Sequence, residues 1–248
     1  MDAALAAFAL VPGLALGSFL NVVAARLPER RSLVRPGSAC GSCATAIAWY
    51  DNVPVLSYLL LRGRCRACGA RIGLVYPAVE LATAGLLAGC FIAFGLSLQT
   101  AAAAVFCAAL VVVTATDLTH RIVPNRVVLP AAAVVLALMT ASDPSPEWAI
   151  AAVGASAFLL AAALAYPAGM GMGDVKLALL MGAALGRTVT VALLLGMIAA
   201  LVPAVVLFAR HGGKARKMAI PFAPFLAIGS IVALFAGRAL IDAYLSVF

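Results

Sequence analysis

Residues 101–117, AAAAVFCAALVVVTATD, form an apolar run that ends in an aspartate. A helix that crosses a bilayer requires about 20 apolar residues, so a run of this kind predicts a transmembrane helix. A carboxylate at the end of such a run is costly in lipid and marks a candidate functional residue, Asp117. The stretch therefore predicts that the chain lies in lipid, and it identifies one candidate residue of a functional site.

The composition extends this interpretation to the whole chain. Of the 248 residues, 65% are hydrophobic and 10% are charged, whereas soluble domains are roughly 45–50% apolar. So few charged side chains could not cover a soluble globule, and we predict an all-α polytopic membrane protein with about eight transmembrane helices. Two of the predicted helices are short, so seven remains an alternative. We place the helices at 3–24, 77–95, 100–116, 126–140, 148–167, 174–186, 188–209 and 223–247.

The basic residues orient these helices. The net charge is +8, but Lys and Arg cluster in loops between apolar stretches. This distribution indicates membrane topology and not nucleic-acid binding, because cytoplasmic loops carry the excess of positive charge. The loop 25–76 holds eight arginines, whereas the acidic loop 142–147 holds no base. We therefore predict an N-terminus outside, a retained first helix and a cytoplasmic loop 25–76. A second basic loop agrees, with Arg210, Lys214, Arg216 and Lys217.

This pattern divides the chain into three parts: a first transmembrane helix at 1–24, a cytoplasmic insert at 25–76 and a transmembrane domain at 77–248. The insert is rich in Gly, Pro, Arg and Cys and has too little apolar content to build its own core. Domains this small usually need a metal or a disulfide to fold. We expect such a crosslink within the insert.

The cysteines of the insert indicate which crosslink it is. Cys40-Gly41-Ser42-Cys43 and Cys65-Arg66-Ala67-Cys68 are two C-x2-C pairs separated by twenty-one residues, close to the spacing of a four-cysteine zinc site. Two disulfides or a redox pair are the alternative, but thiols stay reduced in the cytoplasm. Four thiolates fill a tetrahedral site and leave no position for water, so we predict structural Zn²⁺.

A second carboxylate, Asp174, opens the short helix that follows the glycine-rich stretch GMGMG at 169–173. By the predicted topology, Asp117 and Asp174 lie on different helices at the cytoplasmic edge of the bilayer and can meet. Two close carboxylates do not both ionise easily, so one keeps a proton while the other activates water. Gly171 and Gly173 would let a substrate backbone approach closely. The alternative is that each aspartate only caps a helix or lies in interfacial water.

Two further charged residues, Lys176 and Glu80, each have two alternative roles. Lys176 either extends its amine to the membrane interface or contacts the substrate or Asp174. Glu80, at the start of the second transmembrane helix, is either an interfacial carboxylate or part of a site with the cysteine insert. The residue pattern does not separate these alternatives.

Taken together, the motifs resemble the type IV prepilin peptidases, a family of bifunctional leader peptidases and N-methyltransferases. The resemblance covers nearly the whole chain. Two positions depart from the family pattern, Val123 in place of Ile and Ala223 in place of Gly, and we expect neither to touch the carboxylate chemistry. The motifs are Gly17–Val23 with Arg26-Leu27-Pro28, both cysteine pairs, Trp49, Asp51–Pro54, Ser57–Cys65, Tyr76-Pro77 with Glu80, Asp117-Leu118 with Val123-Pro124-Asn125, Gly171–Lys176 and Ile220–Ala227.

The resemblance implies an intramembrane aspartic peptidase of the bacterial plasma membrane. Its substrates would be type IV prepilins or pseudopilins, cut after the glycine that ends a short basic leader. Asp117 and Asp174 would be catalytic, supported by Gly171, Gly173 and Lys176. The resemblance also implies transfer of a methyl group from S-adenosylmethionine to the new N-terminal residue. No nucleotide-binding glycine motif is present for that cofactor, and Asn21, the insert and Glu80 form its expected neighbourhood.

Three alternatives remain open from the sequence. The chain is a peptidase without methyltransferase activity, an ion-coupled transporter whose intramembrane acids bind cations, or a zinc adaptor without catalysis. A transporter leaves the cysteine insert unexplained. An adaptor leaves the two aspartates and the glycines before Asp174 unexplained.

Overall fold

The computed structural model describes residues 2–166, 170–212 and 220–246, and these are largely helical. Single 3₁₀ turns lie at Trp49–Asn52 and Gly186–Thr188, and the β pairing within the described ranges consists of two isolated bridges in the insert. The all-α prediction is confirmed. The helices are α1 (Asp2–Arg26), α2 (Leu56–Leu60), α3 (Val75–Phe94), α4 (Leu98–His120), α5 (Asn125–Ser142), α6 (Glu147–Ala165), α7 (Met172–Leu185), α8 (Val189–His211) and α9 (Ala223–Leu245).

Among these residues, seven helical segments are long and apolar enough to cross a membrane. One of them, Met172–His211, is 40 residues long and contains both α7 and α8. It is interrupted at Gly186, which has a φ of +55°. The Glu147 carboxylate accepts a hydrogen bond of 2.8 Å from the Arg187 amide at this break. The chain is therefore a multi-pass membrane protein, and the eight predicted long helices are all present as separate helices.

The helix ends explain one difference from the prediction. The predicted third transmembrane helix ended at residue 116, whereas α4 continues to His120, so Asp117 lies inside the helix. The helix stops at Arg121, which adopts the left-handed conformation and donates its amide to the Asp117 carbonyl at 2.9 Å. Pro124 then precedes the first residue of α5. The predicted ends at 167 and 247, Gly169 of the glycine stretch, and Lys214, Arg216 and Lys217 of the second basic loop lie outside the described residues.

The chain forms two compact units, Met1–Leu96 and Ser97–Phe248. In the first unit α1 packs against α3, and the insert connects them. Glycines on α1 allow the two backbones to approach: a Cβ at Gly13 would lie 2.7 Å from Ala84 Cα, and one at Gly17 would lie 2.6 Å from Glu80 Cα. Small residues of this kind are typical of helix contacts in membranes, where close packing replaces the hydrophobic effect.

In the second unit α7 is the central helix. It contacts α4, α5, α6, α8 and α9, and most of its side chains are buried. A helix that is apolar on all sides is usually surrounded by protein. Since α7 packs mainly on neighbouring helices, it does not need the length of a helix that faces lipid. This accounts for its 14 residues.

Packing of α9 on α8 depends on Gly229, because a Cβ there would collide with the Ala192 carbonyl and lie 2.7 Å from the Gly196 nitrogen. We expect Gly229→Ala to destabilise the protein by about 1–3 kcal/mol, the usual effect of overpacking. The matched control is Gly154→Ala on α6, where a Cβ meets nothing within 4 Å and should be neutral or stabilising by about 0.5–1 kcal/mol. Thermal unfolding in detergent measures both, and equal unfolding temperatures for the two variants would contradict the packing.

Candidate active site and metal centre

Asp117 lies in the last turn of α4 and is buried, with 7% of its surface exposed. Its Oδ2 accepts a hydrogen bond of 3.2 Å from the amide of Ala223. Ala223 is the first residue of α9, so the carboxylate lies at the N-terminal end of a second helix. Backbone amides at a helix N-terminus are unpaired donors and carry partial positive charge, which favours an anionic partner.

Asp174 lies in the first turn of α7 and is partly buried. It is close enough to Asp117 for the two carboxylate charges to interact. The structure therefore brings the two predicted aspartates together, one from the C-terminal end of α4 and one from the N-terminal end of α7. The residue before α7 is Gly171, which has no side chain to cap the helix, and the Gly171 amide is close enough to hydrogen-bond the Asp174 carboxylate. This contact is of the kind that caps a helix start.

The first turn of α7 packs on the connection between α4 and α5. A Cβ at Gly173 would lie 2.8 Å from the Cβ of Val123, so a glycine is required for this approach. Three residues further on, Lys176 donates from Nζ to Oδ1 of Asn125 at 3.0 Å. Lys176 thus holds the start of α7 against the start of α5, and its recorded partner is Asn125 rather than Asp174.

Gly171 differs from Gly173 in its surroundings. Its backbone is extended, with φ −81° and ψ 147°, a conformation open to any residue. A Cβ at Gly171 would make only ordinary contacts, the nearest being Asp174 Oδ2 at 3.8 Å. Neither packing within the described residues nor backbone strain requires a glycine here. The space beside Asp174 is open at this position.

Two groups near Asp117 were missed by the sequence reasoning. The backbone amide of Ala223 bonds Asp117, a contact that a glycine at this position would also make, and Val123 packs on Gly173. The prolines around Ala223, which favour a helix start, could have indicated the amide. Arg121, whose charge interacts with Asp117, was also missed. It lies four residues after the aspartate in the sequence, a spacing that could have indicated it.

The insert forms two similar turns, one around each cysteine pair. The Cys40 amide donates to Thr45 O and the Ala44 amide returns to Cys40 O; the amides of Cys65 and Gly69 make the equivalent bonds. In each turn the residue after the second cysteine has positive φ, 57° at Ala44 and 70° at Gly69. The two turns thus share the same backbone hydrogen-bond pattern. Each turn directs its two thiols toward the two thiols of the other turn.

All four thiols converge. The Sγ atoms of Cys40, Cys43, Cys65 and Cys68 lie within 4.8 Å of one another, and none of the four forms a disulfide. Hydrogen bonds from the side chain and backbone of Thr45 lower the pKa of the Cys43 thiol to about 6, and thiolates are the form that binds metal. Four sulfur donors at this separation fit a tetrahedral ion with a closed coordination sphere. The predicted metal-binding residues are thus confirmed as a cluster that could hold a metal ion.

In a comparison with known proteins, the chain matches two family models. Residues 11–94 match the Bacterial Peptidase A24 N-terminal domain, and residues 104–206 match the Type IV leader peptidase family. No solved structure matches the chain.

Relatives named "Prepilin leader peptidase/N-methyltransferase" align with nearly the full length. One from Bacillus subtilis is 36% identical over 94% of this chain and 95% of its own length. One from Burkholderia pseudomallei is 38% identical over 93% of this chain and 85% of its own length. One from Pseudomonas aeruginosa is 34% identical over 94% of this chain and 91% of its own length.

The fold and the two sites define the class: a multi-pass helical membrane protein with a four-cysteine metal centre and a pair of carboxylates where helix ends meet. Within that class, the chain belongs to the type IV leader peptidase family. It is an enzyme of prepilin processing, a peptidase, and the shared name of its relatives adds an N-methyltransferase activity. The predicted family is confirmed.

Ala44 and Gly69 give a matched test of the metal centre. A left-handed conformation costs a residue with a Cβ roughly 1–2 kcal/mol, and glycine avoids most of this cost. We expect Ala44→Gly to stabilise the insert and Gly69→Ala to destabilise it, each by about 1 kcal/mol. The rate at which a chelator removes any metal bound to the purified protein compares the two variants. Shifts of the same sign in the two variants would contradict the equivalence of the two turns.

Gly173 and Gly171 should respond differently to an added methyl group. Gly173→Ala forces its Cβ against Val123, so we expect a loss of about 1–3 kcal/mol of stability together with loss of prepilin cleavage. Gly171→Ala should unfold at the wild-type temperature and reduce cleavage only, because its Cβ would occupy the open space beside Asp174. A lower unfolding temperature for Gly171→Ala would disprove this distinction.

Proposed function

We propose that the chain cleaves the leaders of type IV prepilins and pseudopilins, with Asp117 and Asp174 as the catalytic pair. The observation that carries the proposal is that these two carboxylates, 57 positions apart in the sequence, interact where the ends of α4, α7 and α9 meet. Intramembrane carboxylates are rare and mark functional sites by default. The family supplies the reaction, which is hydrolysis of a peptide bond.

The chemistry of two close carboxylates suits this hydrolysis. One carboxylate accepts a proton from water as the water oxygen attacks the scissile carbonyl carbon, and the other donates a proton to the leaving amine as the C–N bond breaks. Two close carboxylates do not both ionise easily, so one can act as the base while the other acts as the acid, and either aspartate suits either role. The Ala223 amide holds Asp117 in place, whereas Asp174 adjoins the open space at Gly171.

We further propose that cleavage takes place at the cytoplasmic membrane face. The insert carries eight arginines, a charge that favours the cytoplasm. In the topology that the charges predict, α4 ends at the cytoplasmic face, and so does its residue Asp117. The N-terminus then lies outside. A basic leader in the cytoplasm would meet the negative charge of the two aspartates.

The cysteine cluster is proposed to hold Zn²⁺. Its four sulfurs fit a closed tetrahedral site, and a small insert with few buried side chains needs such a crosslink. Bound there, the ion would supply stability to the insert and no catalytic position. The role of the four cysteines is then to fix the backbone of the insert between α1 and α3.

We also propose that the enzyme methylates the new N-terminal amine, because the name of its relatives includes an N-methyltransferase activity. S-adenosylmethionine would supply the methyl group: the unprotonated amine would attack the methyl carbon, the carbon–sulfur bond would break with its electron pair left on sulfur, and the positive charge would end on the methylated nitrogen. The residues that take part must bind the cationic ends of the reactants. A carboxylate of the first unit, Glu80, fits that requirement.

Aspartate substitutions test the peptidase proposal directly. We expect Asp117→Asn and Asp174→Asn each to reduce leader cleavage at least ~100-fold, the effect of losing a general acid or base. Asp143→Asn, in the loop after α5, is the matched control and should cleave like wild type. Mass spectrometry of a prepilin incubated in liposomes measures leader loss, and it reports methylation of the product from the same spectra.

Size-exclusion profiles and unfolding temperatures must first show that the variants fold. Wild-type rates in both folded variants would rule out the two-aspartate mechanism. Cleavage without a gain of one methyl group by the wild-type product would leave the peptidase proposal intact and remove the methyltransferase proposal.

A further inference from the structure

Glu80 is a buried carboxylate without a basic partner. In the same unit, Glu29 pairs with Arg31 at 2.8 Å and Asp51 pairs with Arg66 at 2.6 Å. Glu80 is only 8% exposed, yet it forms no ion pair with any described residue. A buried charge that lacks a partner is destabilising, and at the edge of a membrane helix it indicates a functional role.

The two oxygens of Glu80 have different surroundings. Oε2 accepts a hydrogen bond of 2.8 Å from the amide of Val55 in the insert. Oε1 accepts none from the described residues and is not fully enclosed. One oxygen therefore connects α3 to the insert, and the other is available to a ligand.

The segment held by Glu80 is strained. Val55 has φ 60° and ψ −49°, and the Leu56 amide closes a three-residue turn on the Pro54 carbonyl at 2.5 Å. Turns of this kind are rare, and positive φ is exceptional for a β-branched residue. Strain of about 1–3 kcal/mol persists only where the surroundings impose it, and such residues cluster at functional sites. Here the strained residue is the one whose amide bonds Glu80.

Helix α1 adds a second acceptor at the same place. Gly17 lets α1 approach the backbone of Glu80, as described above. One turn further along α1, Asn21 donates from Nδ2 to the Tyr76 carbonyl at 3.1 Å. This bond leaves Oδ1 of Asn21 without a donor from the described residues. Tyr76 precedes Glu80 by one helical turn, so Asn21 and Glu80 border one junction of α1, α3 and the insert.

We propose that Glu80 and Asn21 bind the ammonium group of a methyl-transfer reactant at this junction. The carboxylate and the amide oxygen are acceptors without donors, and an alkylammonium supplies both positive charge and several N–H donors. The inference rests on the proposed N-methylation and assigns residues to it. Two reactants carry such a group: the new N-terminus of the pilin, which releases a proton to water before it attacks the methyl carbon, and the amino-acid end of S-adenosylmethionine.

The test is Glu80→Gln, which keeps the side-chain length and an acceptor for the Val55 amide but removes the charge. Loss of a charged hydrogen bond predicts at least about a tenfold fall in methylation, with prepilin cleavage unchanged. The matched control is Glu29→Gln, because Glu29 is an exposed carboxylate already paired with Arg31. It should leave both activities at the wild-type level.

A binding measurement identifies which ammonium is bound. Equilibrium dialysis of S-adenosylmethionine against the protein in nanodiscs gives its affinity without turnover. Weaker binding by Glu80→Gln assigns the group to S-adenosylmethionine. Unchanged binding with a higher KM for a cleaved, unmethylated pilin assigns it to the N-terminus. Either result supports the proposal.

Three results would overturn the proposal. Methylation by Glu80→Gln at the wild-type rate with wild-type affinity would show that no ammonium depends on this carboxylate. Loss of cleavage together with methylation, or loss of bound zinc, would make Glu80 a residue of the fold alone. If the wild-type enzyme itself does not methylate, the proposed N-methylation fails first, and the assignment of Glu80 fails with it.

Discussion

An ionisable carboxylate is unfavourable in lipid, and the second unit is built around two of them. Both carboxylates lie where helices end, because a helix end offers unpaired backbone amides and carbonyls that the hydrocarbon region otherwise lacks. Asp117 lies beside the first amide of α9, and Asp174 lies in the first turn of α7. The left-handed stop at Arg121, the glycine contact at Val123 and the bond from Lys176 to Asn125 all hold these helix ends together.

The first unit has a related problem of stability, which lies in its insert. Its insert has little apolar surface to bury, so four thiols are gathered to hold a metal, and a buried carboxylate connects the insert to α3. The glycines of α1 place that carboxylate against a second membrane helix. The residue that bonds this carboxylate, Val55, has a strained backbone, as residues at functional sites often do. The four-cysteine cluster and the Glu80 carboxylate thus hold the insert at two separate points.

Much of the candidate site was predictable because its residues are chemically conspicuous. Carboxylates at the ends of apolar runs and cysteines at C-x2-C spacing stand out in any membrane sequence. The amide of Ala223 was not conspicuous in the sequence, because every residue except proline carries a backbone amide. Only its position at the start of α9 makes this amide a donor to Asp117. The role of Lys176 was not predictable either, since its partner Asn125 is 51 residues away and is reached only through packing.

The sequence by itself determined that the chain lies in lipid as a set of helices, and it identified the four candidate metal-binding cysteines and the two candidate aspartates, because each follows from composition or from a local pattern of side chains. Only the tertiary structure decided that α7 is enclosed by its neighbours, that Gly173 is needed for packing while Gly171 is not, and that Glu80 is buried without a basic partner. The physical reason is that helix packing joins residues far apart in the chain, and the distances between them are set by backbones and small side chains that no local pattern reports.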